Sequence, residues 1–82
     1  MKALVTGGGG FLGKRLVELL IECGHEVHFL ARGHYPEVEA LGAKGFQADI
    51  RDSNALKVPL EGCDTIFHVA AKAGVATMTL QQ

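Results

Sequence analysis

Short apolar runs alternate along the chain with longer segments that mix charged and apolar residues. Four of these runs predict β-strands, at residues 2–5, 27–31, 45–48 and 65–69. Continuous apolar runs of this length are typical of a parallel sheet whose two faces are both covered. The third run is the least apolar, as expected for a strand at the edge of the sheet.

The segments between these runs show a helical pattern. Residues 11–23 predict an amphipathic helix, with Leu12, Leu16, Leu20 and Cys23 on one stripe and Gly24 as the residue that ends it. Two shorter helical turns are predicted at 37–41 and 53–56.

Pro36 suits the start of the first of these turns. Asp52 or Ser53 would cap the second, and Pro59 would limit it. From Val75 onward no clear periodicity is present, and the tail at 76–82 receives no structural prediction.

The order is therefore β-α-β-α-β-α-β, which predicts an α/β fold. We expect one domain at residues 1–75, with a parallel sheet in the strand order 3-2-1-4 and flanking helices. A ligand crevice would lie at the carboxyl ends of strands one and four, where the winding reverses.

Composition excludes several classes of protein. The 82 residues suffice for one small domain, and the formal net charge of −1 gives no footprint for nucleic acid. No apolar run approaches the ~20 residues of a membrane span, and no signal-peptide pattern is present, so we expect no membrane partner and a cytoplasmic location. Cys23 and Cys63 are predicted as small buried groups, and the four histidines show no metal-ligand spacing.

The sequence from Thr6 to Gly13 is Thr-Gly-Gly-Gly-Gly-Phe-Leu-Gly, between the first strand and the first helix. It fits G-x-G-x-x-G from Gly8, and also Thr-Gly-x-x-Gly-x-x-Gly from Thr6. A glycine turn that opens a helix is the usual site for a diphosphate, because backbone N–H groups point at it. The alternative is a glycine-rich loop that only connects strand and helix.

The second spacing, with Phe11-Leu12 inside it, resembles the extended short-chain dehydrogenase/reductase family, which includes NAD-dependent epimerases/dehydratases and hydroxysteroid-dehydrogenase-like enzymes. The resemblance covers residues 1 to about 75 and implies the amino-terminal half of a Rossmann fold. It also implies a nicotinamide dinucleotide as partner. The predicted cofactor-binding residues are Gly7, Gly10, Phe11, Leu12, Gly13, Arg32, Asp49, Ile50, Ala70 and Ala71.

The end of the second strand predicts which cofactor is bound. Members of this family that use NAD carry an acidic residue there, whereas this chain has Ala31 followed by Arg32. An arginine fork suits a 2′-phosphate, so NADP is predicted, with NAD as the alternative. The alternative is that Arg32 is a solvated surface arginine.

By the same resemblance, Asp49 would meet the adenine amino group and the Ile50 backbone the adenine ring. Ala70 and Ala71 would lie under the diphosphate and the nicotinamide ribose. His68 is predicted as a packed core histidine, and the role of Lys72 is left open between phosphate contact and solvent.

The family's catalytic Tyr-x-x-x-Lys is absent from these residues, since the one tyrosine, Tyr35, has Glu39 four positions on. We therefore expect an NAD(P)-binding segment of an extended short-chain oxidoreductase or epimerase, truncated and inactive alone. The alternative is a non-catalytic dinucleotide-sensing or interaction domain. A flavin or nucleotide-sugar binder fits the Thr6-Gly7 spacing less well.

The last expectation concerns assembly. Strand four is apolar and carries no lysine or proline, and the four-strand order leaves one of its edges unpaired. We expect self-association through this edge.

Overall fold

The computed structural model describes residues 1–7, 10–49, 51–69 and, for the backbone, 75–79. Its elements in chain order are β1 (Lys2–Thr6), α1 (Phe11–Glu22), β2 (Glu26–Ala31), α2 (Pro36–Glu39), β3 (Lys44–Gln47), α3 (Lys57–Leu60), β4 (Thr65–Val69) and β5 (Val75–Thr79).

The strands form one sheet in the order β3-β2-β1-β4-β5. The pairs β1–β2, β1–β4 and β2–β3 are parallel, so the predicted α/β fold with the order 3-2-1-4 is confirmed. At the carboxyl end of β1, Thr6 lies between Leu30 of β2 and His68 of β4. The parallel strands therefore end together along one edge.

The fifth strand corrects the expectation for the tail. Residues Val75–Thr79 pair antiparallel with β4, with Val75 opposite Val69 and Thr79 opposite Thr65. The edge of β4 is therefore covered, and the prediction that this edge is open was wrong. The expected self-association through the strand-four edge depended on unpaired backbone groups of β4, and β5 now pairs with these. The outer edge of the sheet is formed by β5 instead.

Helix α1 ends as predicted. Gly24 has φ of 85°, and its N–H donates to Ile21 O while the N–H of His25 donates to Leu20 O. These two bonds make a Schellman ending, which satisfies carbonyls that the helix leaves open.

The buried stripe of α1 differs from the predicted one. Gly13, Val17 and Leu20 are buried, whereas Leu12 and Cys23 are exposed. Cys23 is therefore not the buried group that was predicted. The buried stripe is therefore rotated by about one position from the predicted one.

The third helix lies later than predicted. Asp52 does cap a turn, since its Oδ1 accepts from the N–H groups of Asn54 and Ala55 at 3.1 and 3.3 Å. Residues 53–56 form only turns, and the helix is Lys57–Leu60. Pro59 is accommodated there because the first helical turn needs no N–H from it.

The core lies on both faces of the sheet. Ala3 and Val5 point to the face covered by α1 and α2, and Leu4 points to the other face, as the two-residue period of a strand requires. Cys63 is buried beside Leu4, as predicted, and burial raises the pKa of its thiol. Within the described ranges, no helix is both long and apolar enough to cross a membrane.

Candidate functional site

A cleft of about 480 Å³ lies at the carboxyl ends of the four parallel strands. It extends across the point where β1 separates the two directions of winding, which is where open α/β sheets bind ligands. Its walls come from all four strand ends and the loops that follow them: Thr6, Gly7, Gly10, Leu30, Ala31, Arg32, Tyr35, Ala48, Asp49, Arg51, His68 and Val69.

Gly7 makes the turn that leaves β1. Its φ is 78°, its N–H donates to Leu30 O at 2.8 Å, and a Cβ at this position would lie 3.0 Å from Val69 O. A side chain would be strained by the dihedral and would also meet the end of β4. Glycine is therefore required here by the fold itself.

Gly10 is the N-cap of α1 and has an ordinary extended conformation, with φ of −79°. Among the described residues, a Cβ here would come within 4 Å of Gly7 O alone, at 3.8 Å. No described side chain caps the helix, and its first turn carries no acidic residue. Because Gly10 lines the cleft, the amino end of α1 and the positive end of its dipole lie at the cleft wall, with no carboxylate from the first turn.

The far end of the cleft is charged. The guanidinium of Arg51 binds the carboxylate of Asp49 through Nη2 at 2.7 Å and through Nε at 3.1 and 3.2 Å, and the Arg51 N–H also donates to Asp49 Oδ1 at 2.9 Å. These bonds hold the pKa of Asp49 well below its ordinary value and raise that of Arg51, and Arg32 lowers the pKa of Asp49 further. Asp49 is thus a fixed anion beside two guanidinium groups.

His68 is not the packed core residue that was predicted. It is exposed and lines the cleft, and its Nδ1 lies 2.7 Å from Oγ1 of the buried Thr6. The prediction was wrong because the register of β1 and β4 places His68 opposite Thr6, at the carboxyl edge of the sheet where the cleft opens.

The structure brings together four of the predicted contacts, Gly7, Gly10, Arg32 and Asp49. Gly13 is buried in the packing of α1, and the side chain of Phe11 is 93% exposed. Phe11, Leu12 and Gly13 do not line the cleft. The other three predicted contacts, Ile50, Ala70 and Ala71, lie outside the described residues.

Sequence reasoning did not propose Tyr35, Arg51 or His68 as site residues. Their signal was positional, since each lies at or shortly after the carboxyl end of a strand. Arg51 lies in the same loop as Asp49. The role of Asp49 was taken from the family's Asp-x-x-Asp pattern, in which the position of Arg51 can be any residue. In the described part of the chain, no three His, Cys, Asp or Glu side chains gather into a metal-binding group.

Comparison with known proteins gives a family match. The model of the NAD dependent epimerase/dehydratase family matches residues 3–81. The match extends through most of the tail at 76–82, which sequence reasoning had placed outside the resemblance.

Individual relatives agree with this match. The chain is 51% identical over 73 residues to a 2-alkyl-3-oxoalkanoate reductase of Shewanella oneidensis, covering 89% of this chain and 19% of the relative. It is 40% identical to a 3β-hydroxysteroid dehydrogenase/Δ5→4-isomerase of Mycobacterium tuberculosis, covering 85% and 19%.

A solved UDP-glucose 4-epimerase of Thermus thermophilus, in complex with NAD, superposes with a TM-score of 0.72 at 34% identity, covering 89% of this chain and 25% of that one. The chain thus spans about a fifth of the length of these curated relatives and a quarter of this structure.

Proposed function

This chain belongs to the NAD-dependent epimerase/dehydratase family, and we propose that it is the segment that binds a nicotinamide dinucleotide, with NADP preferred. The observation that carries the proposal is the cleft itself. It joins an uncapped helix N-terminus to a pair of arginines across the carboxyl ends of β1 to β4. A diphosphate suits the first end, and an adenosine 2′-phosphate suits the second.

The preference for NADP is supported by the charged end of the cleft. Ala31 has no carboxylate to repel a 2′-phosphate, and Arg32 is exposed to the cleft. Asp49 is the one carboxylate among the described lining residues, and Arg51 binds it on both oxygens. NAD remains the alternative, because it is the dinucleotide bound in the Thermus epimerase.

We assign the dinucleotide-binding step, and not the chemical step, to these residues. Tyr35 is the one tyrosine and position 39 is glutamate, so the Tyr-x-x-x-Lys pair that the family uses for proton transfer is not in this sequence. The chain alone is then inactive as a reductase or epimerase. The free thiols of Cys23 and Cys63 fit a reducing compartment, and we place the protein in the cytoplasm.

Titration calorimetry with NADP and NAD tests the proposal. Arg32→Ala should weaken NADP binding by about 1.5–3 kcal/mol, the value of a hydrogen bond to a charged group, and leave NAD binding nearly unchanged. Arg15→Ala is the matched control, because Arg15 pairs with Glu18 on the outer face of α1 and does not line the cleft. Tighter binding of NAD than of NADP by the unmodified chain would refute the preference.

The alternative role, a non-catalytic dinucleotide-sensing domain, rests on the same cleft and on the missing Tyr-x-x-x-Lys. Two assays with the chain alone test whether it is an active enzyme. One measures the single-turnover oxidation of bound NADPH by a ketone, and the other measures the epimerisation of a nucleotide-sugar. We expect no turnover in either assay, and a measurable rate would overturn the assignment of binding alone.

A further inference from the structure

We propose that His68 binds the cofactor, by donating a hydrogen bond from its Nε2–H to a diphosphate oxygen in an orientation that Thr6 fixes. The proposal rests on the proposed function, since it requires a dinucleotide in the cleft. It adds a residue for which the motif spacing gave no role.

The first argument is position. In the register of β1 and β4, His68 lies directly opposite Thr6, the residue that leads into the glycine turn. Val69, the next residue of β4, packs against that turn closely enough that its carbonyl oxygen lies 3.0 Å from where a Gly7 Cβ would stand. His68 therefore lies next to the turn in the sheet and lines the same cleft as Gly7 and Gly10.

The second argument is the hydrogen-bond pattern. Thr6 is only 3% exposed, so its hydroxyl depends on protein partners. Among the described residues its one hydrogen-bond partner is His68 Nδ1, at 2.7 Å. A buried hydroxyl left without an acceptor is costly, and the available acceptor is the Nδ1 lone pair.

With the Thr6 hydroxyl as the donor, this bond assigns one tautomer to His68. A neutral imidazole has one N–H donor and one acceptor, so an Nδ1 that accepts from Thr6 leaves the proton on Nε2. The exposed imidazole then presents a donor at the cleft. Thr6 acts through His68 and is a positioning residue.

The third argument is charge. The positive end of the α1 dipole lies beside the turn, and the first turn of α1 carries no carboxylate. Asp49, the carboxylate of the cleft wall, is engaged by Arg51 at the opposite end. An N–H from His68 adds a donor to this positive end of the cleft, where it suits an anionic oxygen of a diphosphate.

The test uses titration calorimetry of the full chain with two probes. NADP contains the diphosphate, whereas 2′-AMP carries the adenosine and its 2′-phosphate but no part of the diphosphate. His68→Ala should weaken NADP binding about tenfold or more, as loss of a charge-assisted hydrogen bond predicts, and weaken 2′-AMP binding less than twofold. His25→Ala is the matched control, because His25 contacts the chain's amino terminus at the opposite end of the sheet.

Unchanged NADP binding by a folded His68→Ala variant overturns this inference and leaves the proposed function standing. Equal losses for both probes also overturn it, because they indicate that His68 only holds the strands together. Failure of the unmodified chain to bind NADP overturns the proposed function, and the inference fails with it.

A second measurement needs no substitution at His68. The imidazole ¹⁵N shifts of the unmodified chain should show a protonated Nε2 and an unprotonated Nδ1, and Nε2 should shift when NADP is added. In Thr6→Val, which removes the hydroxyl and keeps the shape, the tautomers should become mixed. A protonated Nδ1 with a bare Nε2 in the unmodified chain would overturn the proposal.

Discussion

Gly10→Ala is the substitution that best separates binding from folding in this site. Gly10 already has a φ of −79°, which alanine adopts without strain, and among the described residues a Cβ there comes within 4 Å of Gly7 O alone, at 3.8 Å. The methyl group therefore fits the unliganded protein. It occupies the space in which a diphosphate would approach the first N–H groups of α1.

The magnitude follows from the contacts that the methyl group blocks. Loss of one hydrogen bond to a charged phosphate costs about 1.5–3 kcal/mol, which corresponds to roughly a 10- to 150-fold rise in Kd. The cost to folding should be smaller, since exchanging glycine for alanine at an N-cap changes helix stability by roughly 1 kcal/mol or less.

Calorimetric titration with NADP and thermal unfolding of the same samples provide the assay. Gly24→Ala is the control with the opposite expectation. Its φ is 85° with nothing within 4 Å, so it should lower stability by about 1–2 kcal/mol and leave Kd unchanged. A Gly10→Ala variant that binds NADP as tightly as the unmodified chain would refute the role of the turn as a phosphate site.

Three further outcomes are expected. Arg51→Gln should raise the pKa of Asp49 toward its ordinary value of 3.8, because the guanidinium is lost while the backbone N–H of residue 51 and the charge of Arg32 remain; carboxyl ¹³C shifts measure this. In the unmodified chain Asp49 stays ionised below that pH, and because its pKa is lowered in the folded state, any stability from the pair is lost as the pH falls. Gly45→Ala should lower the free energy of unfolding by about 1–3 kcal/mol, because the new Cβ would lie 2.6 Å from the buried Phe29 ring. Thermal unfolding measures this, and an unchanged melting temperature would contradict the packing. Removal of residues 75–82 should uncover the edge of β4 and increase self-association in sedimentation at several concentrations, and equal sedimentation of both chains would show that β5 does not protect that edge.

The strand positions could be predicted from sequence because each parallel strand is a short apolar run bounded by glycine or a charged turn, and their order follows from the doubly wound arrangement. The buried stripe of α1 could not be predicted, because Leu12 and Cys23 fall on an apolar stripe although Gly13 and Val17 are the buried positions. An apolar residue is compatible with either side of a helix, so the pattern alone leaves the rotation of α1 uncertain by about one position.

The fifth strand was missed for a different reason. Residues 75–79 have no alternation strong enough to predict a strand from local sequence, and their pairing depends on the exposed edge of β4. Such non-local pairing is decided by the partner strand and not by the segment itself.

Some residues of the candidate site could be predicted from sequence motifs, and others only from the structure. Gly7 and Gly10 could be named from the glycine spacing, and Arg32 and Asp49 from the resemblance to the family. Arg51 and His68 became visible only with the side-chain geometry. Their types occur commonly on surfaces, and it is the contacts with Asp49 and Thr6 that distinguish them.

The two ends of the cleft should therefore control different properties of binding. Gly10 and His68 lie beside the turn, where NADP and NAD present the same diphosphate, so changes there should weaken both ligands by similar factors. Arg32, Arg51 and Asp49 form a cluster with a net charge of +1 at the other end, where only NADP presents a further phosphate with a charge of about −2. Changes in that cluster should alter the ratio of the two Kd values and leave the affinity for NAD nearly constant. This can be measured by calorimetry of NADP and NAD with one variant from each end of the cleft and with the double variant. If the two ends act independently, the changes in binding free energy of the two single variants add in the double variant to within about 0.5 kcal/mol. A variant at the turn that changed the NADP/NAD ratio as strongly as Arg32→Ala would mean that the cofactor lies across the cleft in a different orientation.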